Sequence, residues 1–230
     1  MKIGLFYVGD IPAYARLGQL AAEVAKLAMP ECDIVHLTDT NTQELVGVDY
    51  ALRMEKKSRL AVFRMQHHQV PGEWLFIDVD VLIHRPVREI FRDSFDIAIA
   101  DRSGYSFTGI FEKTGEKLED MPYNMGVVFS RSPEFWHAVE AEMQPYDDKW
   151  REWMGDQLAV NRLIARGEFD VKILPGATYN YAPDKKTGDP KNAAIVHYKG
   201  PRKHYMVEQA FRLLHGAHLS GTEALSSIPA

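Results

Sequence analysis

Apolar runs of strand length alternate with stretches of helical periodicity along most of this 230-residue chain. That alternation describes an α/β domain around a largely parallel sheet, because parallel strands need crossover helices and are buried on both faces. Residues 2–8 read as a strand, 12–28 as a helix opened by Pro12, and 33–37 as a strand closed by the turn cluster Thr38-Asp39-Thr40-Asn41. Together they make a βαβ unit. Residues 50–68 read as one helix that sends Leu52, Leu60 and Phe63 to the core and leaves Arg53, Lys56, Lys57, Arg59 and Arg64 on a basic remainder. The pattern predicts further strands at 74–78, 95–100, 126–130 and 195–197, with helices at 133–144, 155–166 and 203–215. Residues 103–123 follow neither period and hold three glycines, the composition of a long functional loop, a lid or an acceptor loop.

No repeat or linker divides the chain, so one domain over 1–218 is expected, with a frayed tail at 219–230. Hydrophobic residues at 46% and charged residues at 26% argue for a globular chain and against both disorder and a transmembrane segment. The first residues lack the length and cleavage site of a secretory signal. The single cysteine, Cys32, leaves no disulfide framework or cysteine-zinc cluster, which makes a packing role and a cytoplasmic setting the expectation. A net charge of −5 argues against a uniformly basic nucleic-acid surface.

The segment that carries most chemistry is Trp74-Leu75-Phe76-Ile77-Asp78-Val79-Asp80, an apolar strand meeting two carboxylates one residue apart. In an extended chain such residues point to one side, so Asp78 and Asp80 can converge on a hard divalent cation while Val79 turns inward. Alone, the pair is equally a pair of solvated aspartates at a strand end. Asn124-Met125-Gly126 stands at the mouth of a strand, where a small residue lets a ligand approach the backbone. Asp156 and Gln157 open a helix, where the carboxylate either caps free N–H groups or faces a substrate. His197, Gly200 and Lys203 offer an imidazole, a glycine turn and an ammonium suited to metal, backbone and phosphate contact in that order.

Taken together, these motifs resemble the glycosyltransferases of the GT-A fold, especially the retaining family that includes glycogenin, galactinol synthase and bacterial lipopolysaccharide galactosyltransferases. D-x-D after an apolar strand, N-x-G, D-Q at a helix start and H-x-x-G-x-x-K occur in that order between Lys2 and Lys203. The resemblance implies a single-domain, Rossmann-like α/β fold with a central, mostly parallel mixed sheet. It implies that Asp78, Asp80 and His197 bind Mn²⁺ or Mg²⁺ and that Gly200 and Lys203 contact the diphosphate of a nucleoside-diphosphate sugar, by family preference a UDP-sugar. Asp78 would touch the donor as well. Phe6, Tyr7 and Val8 would lie beside the base with Asp10 nearby, and Arg59 would reach towards the donor. Asn124, Asp156 and Gln157 would surround the transferred hexose.

Two departures, His204-Tyr205 where the family has Pro-Trp and a shorter chain, bear on the acceptor: a glycan, a lipid-linked sugar, a protein or, through the basic stretch from Arg53 to Arg64, a modified DNA base. The competing readings are a haloacid-dehalogenase-like Mg²⁺ phosphohydrolase, which also uses D-x-D but needs a later aspartate pair, and a non-catalytic sugar-nucleotide-binding module. The only paired aspartates, Asp147-Asp148, fall in a polar stretch after Pro145.

Overall fold

The computed structural model describes residues 1–102 and 121–216. The expected loop at 103–123 lies outside the described residues over 103–120, and the expected tail at 219–230 lies outside them entirely.

The chain opens with β1 (Lys2–Phe6), whose Ile3 and Leu5 are fully buried, and α1 (Pro12–Ala28), whose Leu17, Leu20, Ala21, Val24 and Ala25 form one apolar stripe at helical spacing. Two parallel strands follow, β2 (Asp33–Asp39) and β3 (Tyr50–Met54). Then come α2 (Leu60–His68), β4 (Trp74–Asp78), the short β5 (Val81–Ile83) and β6 (Ile97–Asp101). The second half holds β7 (Tyr123–Ser130), α3 (Pro133–Met143), α4 (Asp148–Glu152), α5 (Gly155–Arg166), β8 (Val171–Leu174), α6 (Gly176–Tyr179), β9 (Ile195–His197) and α7 (Lys203–His215). Ser132 starts α3 by accepting a hydrogen bond from the Phe135 N–H at 3.2 Å, and Gly167 ends α5 at φ 69°.

The main sheet has the order β3-β2-β1-β4-β7-β6-β8. Among the described residues its only antiparallel member is β7, between β4 and β6, so the sheet is mixed and mostly parallel as expected. Each face carries its own core. Leu75, Ile77, Val127 and Phe129 look towards α1 and α7, while Trp74, Phe76, Met125 and Val128 look towards α2, α3 and α5. Alternate residues of β4 therefore serve opposite layers, the period-two consequence of a strand buried on both sides. Cys32 is buried and free, in its expected packing role. No helix among the described residues is long and apolar enough to cross a membrane.

One expectation needs correction. Residues 50–68 are not one helix: the first five form β3, which pairs in parallel with β2, Leu52 standing opposite Leu37. A run this short at the sheet edge satisfies a ladder as readily as a helical turn, and the partner strand decides. The basic residues are thereby distributed. Arg53 lies on the strand and donates to the Asp39 and Thr42 carbonyls, Lys57 pairs with Glu55, and only Arg64 lies within α2.

Candidate active site

The site forms where the parallel strands β1 and β4 end, the crevice in which open α/β sheets place ligands. Asp78 closes β4, and a turn over Val79 and Asp80 leads into β5. The two aspartates converge as expected, but through that turn rather than along one extended strand. The turn is required because β5 leaves the main sheet to pair antiparallel with β9, with Val81 opposite His197. This pairing delivers the imidazole. His197 Nε2 lies 3.1 Å from Asp80 Oδ1 and 3.7 Å from Asp78 Oδ2, and one ligand atom from each residue falls within 4.8 Å of the others. The Tyr198 N–H donates to the Asp80 carbonyl at 2.8 Å and fixes the turn.

Two cations face these acids. Lys203 Nζ, from the start of α7, is 2.6 Å from Asp80 Oδ2. Just before it, Gly200 holds φ 65° with open space where a Cβ would stand, a conformation that suits glycine. Arg64 reaches Asp78 Oδ1 at 2.8 Å and Asp156 Oδ2 at 3.7 Å, and donates to the Met125 carbonyl. Burial alone would raise the Asp80 pKa, but His197 and Lys203 outweigh it and hold the carboxyl far below the usual range. At Asp156 the balance reverses: burial pushes the pKa up despite Arg64. Burial also lowers Lys199 to about 8, with Arg102 and Arg202 adding to the effect.

The expected sugar-side residues meet one another. Asn124 Nδ2 donates to Gln157 Oε1 at 3.2 Å, and Arg102 donates to the same oxygen. Asp156 Oδ1 accepts from the Gln157 N–H at 2.9 Å while Oδ2 faces Arg64. What approaches Gly126 is the imidazole of His197: a Cβ there would lie 2.2 Å from Cε1. On the nucleoside side, Phe6 pairs in register with Asp78. Tyr7 is buried, with its hydroxyl donating to the Ile11 carbonyl at 3.0 Å; Val8 is half-buried and Asp10 exposed. Arg59 stands at the N-cap of α2 in an exposed pair with Asp148 at 2.6 Å.

Sequence reasoning passed over three residues. Arg64 reads in sequence as part of a basic face, although its neighbours Val62, Phe63 and Met65 are buried and such surroundings call for a partner. Asn180 and Arg102 carry no motif. Asn180 lies against His197 Nδ1 at 3.0 Å, and both are almost fully buried.

The oxygen, oxygen and imidazole donors fit a divalent cation. Asn180 faces Nδ1, which leaves Nε2 turned towards the two carboxylates, an arrangement that a shared cation would complete.

Neither protein-family models nor curated proteins match the chain. Solved structures do. A glycosyltransferase involved in the glycosylation of the major capsid of PBCV-1 aligns with a TM-score of 0.60 at 15% identity, covering 91% of this chain and 99% of the other. The galactosyltransferase LgtC, in complex with donor and acceptor sugar analogs, aligns with a TM-score of 0.58 at 14% identity, over 97% and 98%. The chain therefore has the GT-A-like fold of these glycosyltransferases, with the D-x-D pair and His197 gathered at the carboxyl ends of its parallel strands.

Proposed function

We propose that the chain is a metal-dependent glycosyltransferase that moves a hexose or related sugar from a nucleoside-diphosphate donor, by preference a UDP-sugar, to an acceptor with retention. The observation that carries this reading is the convergence of Asp78, Asp80 and His197 beside Lys203 and Gly200 on a glycosyltransferase-like fold. A Mn²⁺ or Mg²⁺ ion held by the three residues would neutralise charge on the diphosphate leaving group.

This chain's own groups supply the remainder. Lys203, now on Asp80, offers the leaving group an ammonium that gains value as negative charge develops, and the Gly200 backbone lies one turn before it. Asp156 and Gln157 set oxygens on the sugar side, where an oxocarbenium-like centre is favoured by them, and Asn124 orients Gln157. Phe6, Tyr7 and Val8, with Asp10, border the nucleoside end of the crevice, and Arg59 is assigned to the outer donor path. Retention leaves the acceptor to attack from the leaving-group side without a dedicated base.

The phosphohydrolase reading loses its second acidic motif, because Asp147 caps α4 through the Trp150 N–H and Asp148 pairs with Arg59. The test is Asp80→Ala: donor cleavage is expected to disappear while the circular dichroism spectrum is unchanged. A folded, active Asp80→Ala protein would remove the ion-dependent mechanism.

A further inference from the structure

We propose that Asn180 is the positioning residue of the cation site, holding the His197 ring through Nδ1 so that Nε2 faces Asp78 and Asp80. This rests on the reading of those three residues as ion ligands.

The assignment follows from groups whose roles cannot be exchanged. The Gly126 backbone N–H can only donate, and it lies 3.2 Å from one side-chain atom of Asn124, which must therefore be the amide oxygen. That oxygen also lies 3.0 Å from the Asn180 side chain, so the Asn180 atom facing it must be the NH₂ group. The other end of the Asn180 amide is then an oxygen, an acceptor only, at 3.0 Å from His197 Nδ1. Nδ1 must carry the hydrogen. Nε2 is left to face Asp80 at 3.1 Å and Asp78 at 3.7 Å.

The backbone holds this relay still. Asn180 ends α6 with its N–H on the Gly176 carbonyl, the Tyr181 N–H donates to the Ile195 carbonyl, and the His197 N–H donates to the Tyr181 carbonyl at 2.7 Å. Asn180 and His197 are each 3% exposed, so water competes poorly for either. Gly126 completes the device by leaving room for the ring. A ligating histidine whose far nitrogen is fixed in this way keeps its orientation and basicity, and losing such a partner typically costs 10- to 100-fold in metal affinity.

The test uses the full chain labelled with ¹⁵N-histidine and free of metal. Long-range ¹H–¹⁵N correlations, with His197 assigned by its loss in His197→Gln, are expected to show Nδ1 protonated. Asn180→Leu is expected to admit the Nε2–H tautomer and to weaken Mn²⁺ binding, followed by the electron paramagnetic resonance of free Mn²⁺, by about 10- to 100-fold. Asn180→Asp keeps the acceptor towards Nδ1 but loses the amide donor to Asn124, so Nδ1 is expected to stay protonated and the affinity to fall less than in Asn180→Leu. A wild-type ring bare on Nδ1 overturns the proposal, as does an Asn180→Leu protein with unchanged tautomer and affinity. If Asn180→Leu does not fold, the wild-type tautomer and Asn180→Asp decide. Wild-type protein that binds no Mn²⁺ would defeat the ion-site reading, and the metal-free tautomer would still decide the role of Asn180.

Discussion

Replacing Gly126 by alanine would place a Cβ 2.2 Å from His197 Cε1 and 2.5 Å from Nδ1, closer than any packed methyl group tolerates. Something must shift, and the imidazole is the side-chain neighbour in the way. Gly126→Ala is therefore expected to lower donor turnover and Mn²⁺ affinity together by about tenfold or more, the cost of disturbing a ligand's support. Wild-type Mn²⁺ affinity in a folded Gly126→Ala protein would contradict this account. Arg64 poses a different problem, because it pairs with both Asp78 and the buried Asp156. Arg64→Ala leaves Asp156 in a buried setting that already raises its pKa, so the carboxyl is expected to take up a proton. Loss of stability by roughly 3 kcal/mol in urea unfolding, with Arg64→Lys intermediate, is the expected result. A stability equal to wild type would show that Arg64 is not the counter-charge it is taken to be.

At the scale of elements, α2 carries an acid-sensitive packing device. His68 is fully buried, stacked on the Phe76 ring at 3.9 Å and edge-on to Trp136, and neither ring nitrogen has a hydrogen-bond partner. Burial lowers its pKa well below the ordinary value, and burial likewise takes His67 and His84 to about 4. In the unfolded chain these rings take up protons near pH 6.5, whereas the native state excludes them. Their neutral packing is therefore favoured in full above pH 6.5, and stability is expected to fall as pH drops from 6.5 towards 4. His68→Phe is expected to raise the melting temperature at pH 7 and to flatten the decline; an unchanged pH slope would contradict this. The same helix shows what was legible in sequence. The segments α1, α3, α5, β9 and α7 follow from capping residues, apolar spacing and run length, all local properties. The strand at 50–54 does not, because its pairing with β2 is a tertiary fact. Of the site, the acids, His197 and Lys203 stand in motifs, whereas Arg64 and Asn180 acquire meaning only when β5 pairs with β9 and α2 docks beside β4.

For the whole molecule, the topology places the ends of β1 and β4, the antiparallel β5-β9 pair and the start of α7 at one crevice, so that site residues remote in sequence meet there. A cation bound there ties β4, β5 and β9 together in the native state alone, so Mn²⁺ at 100-fold above its dissociation constant is expected to add about 2.7 kcal/mol of stability. That gain should vanish with EDTA and be absent in Asp80→Ala. The most direct test of the central claim is nucleotide release from UDP-, GDP- and ADP-sugars, each with Mn²⁺ or with EDTA and with no acceptor present. Slow release from one donor, dependent on Mn²⁺ and lost in Asp80→Ala, is the result expected. If no donor is hydrolysed and none raises the melting temperature, while simple phosphate esters are cleaved with Mg²⁺, the site belongs to a phosphohydrolase and the glycosyltransferase reading is contradicted.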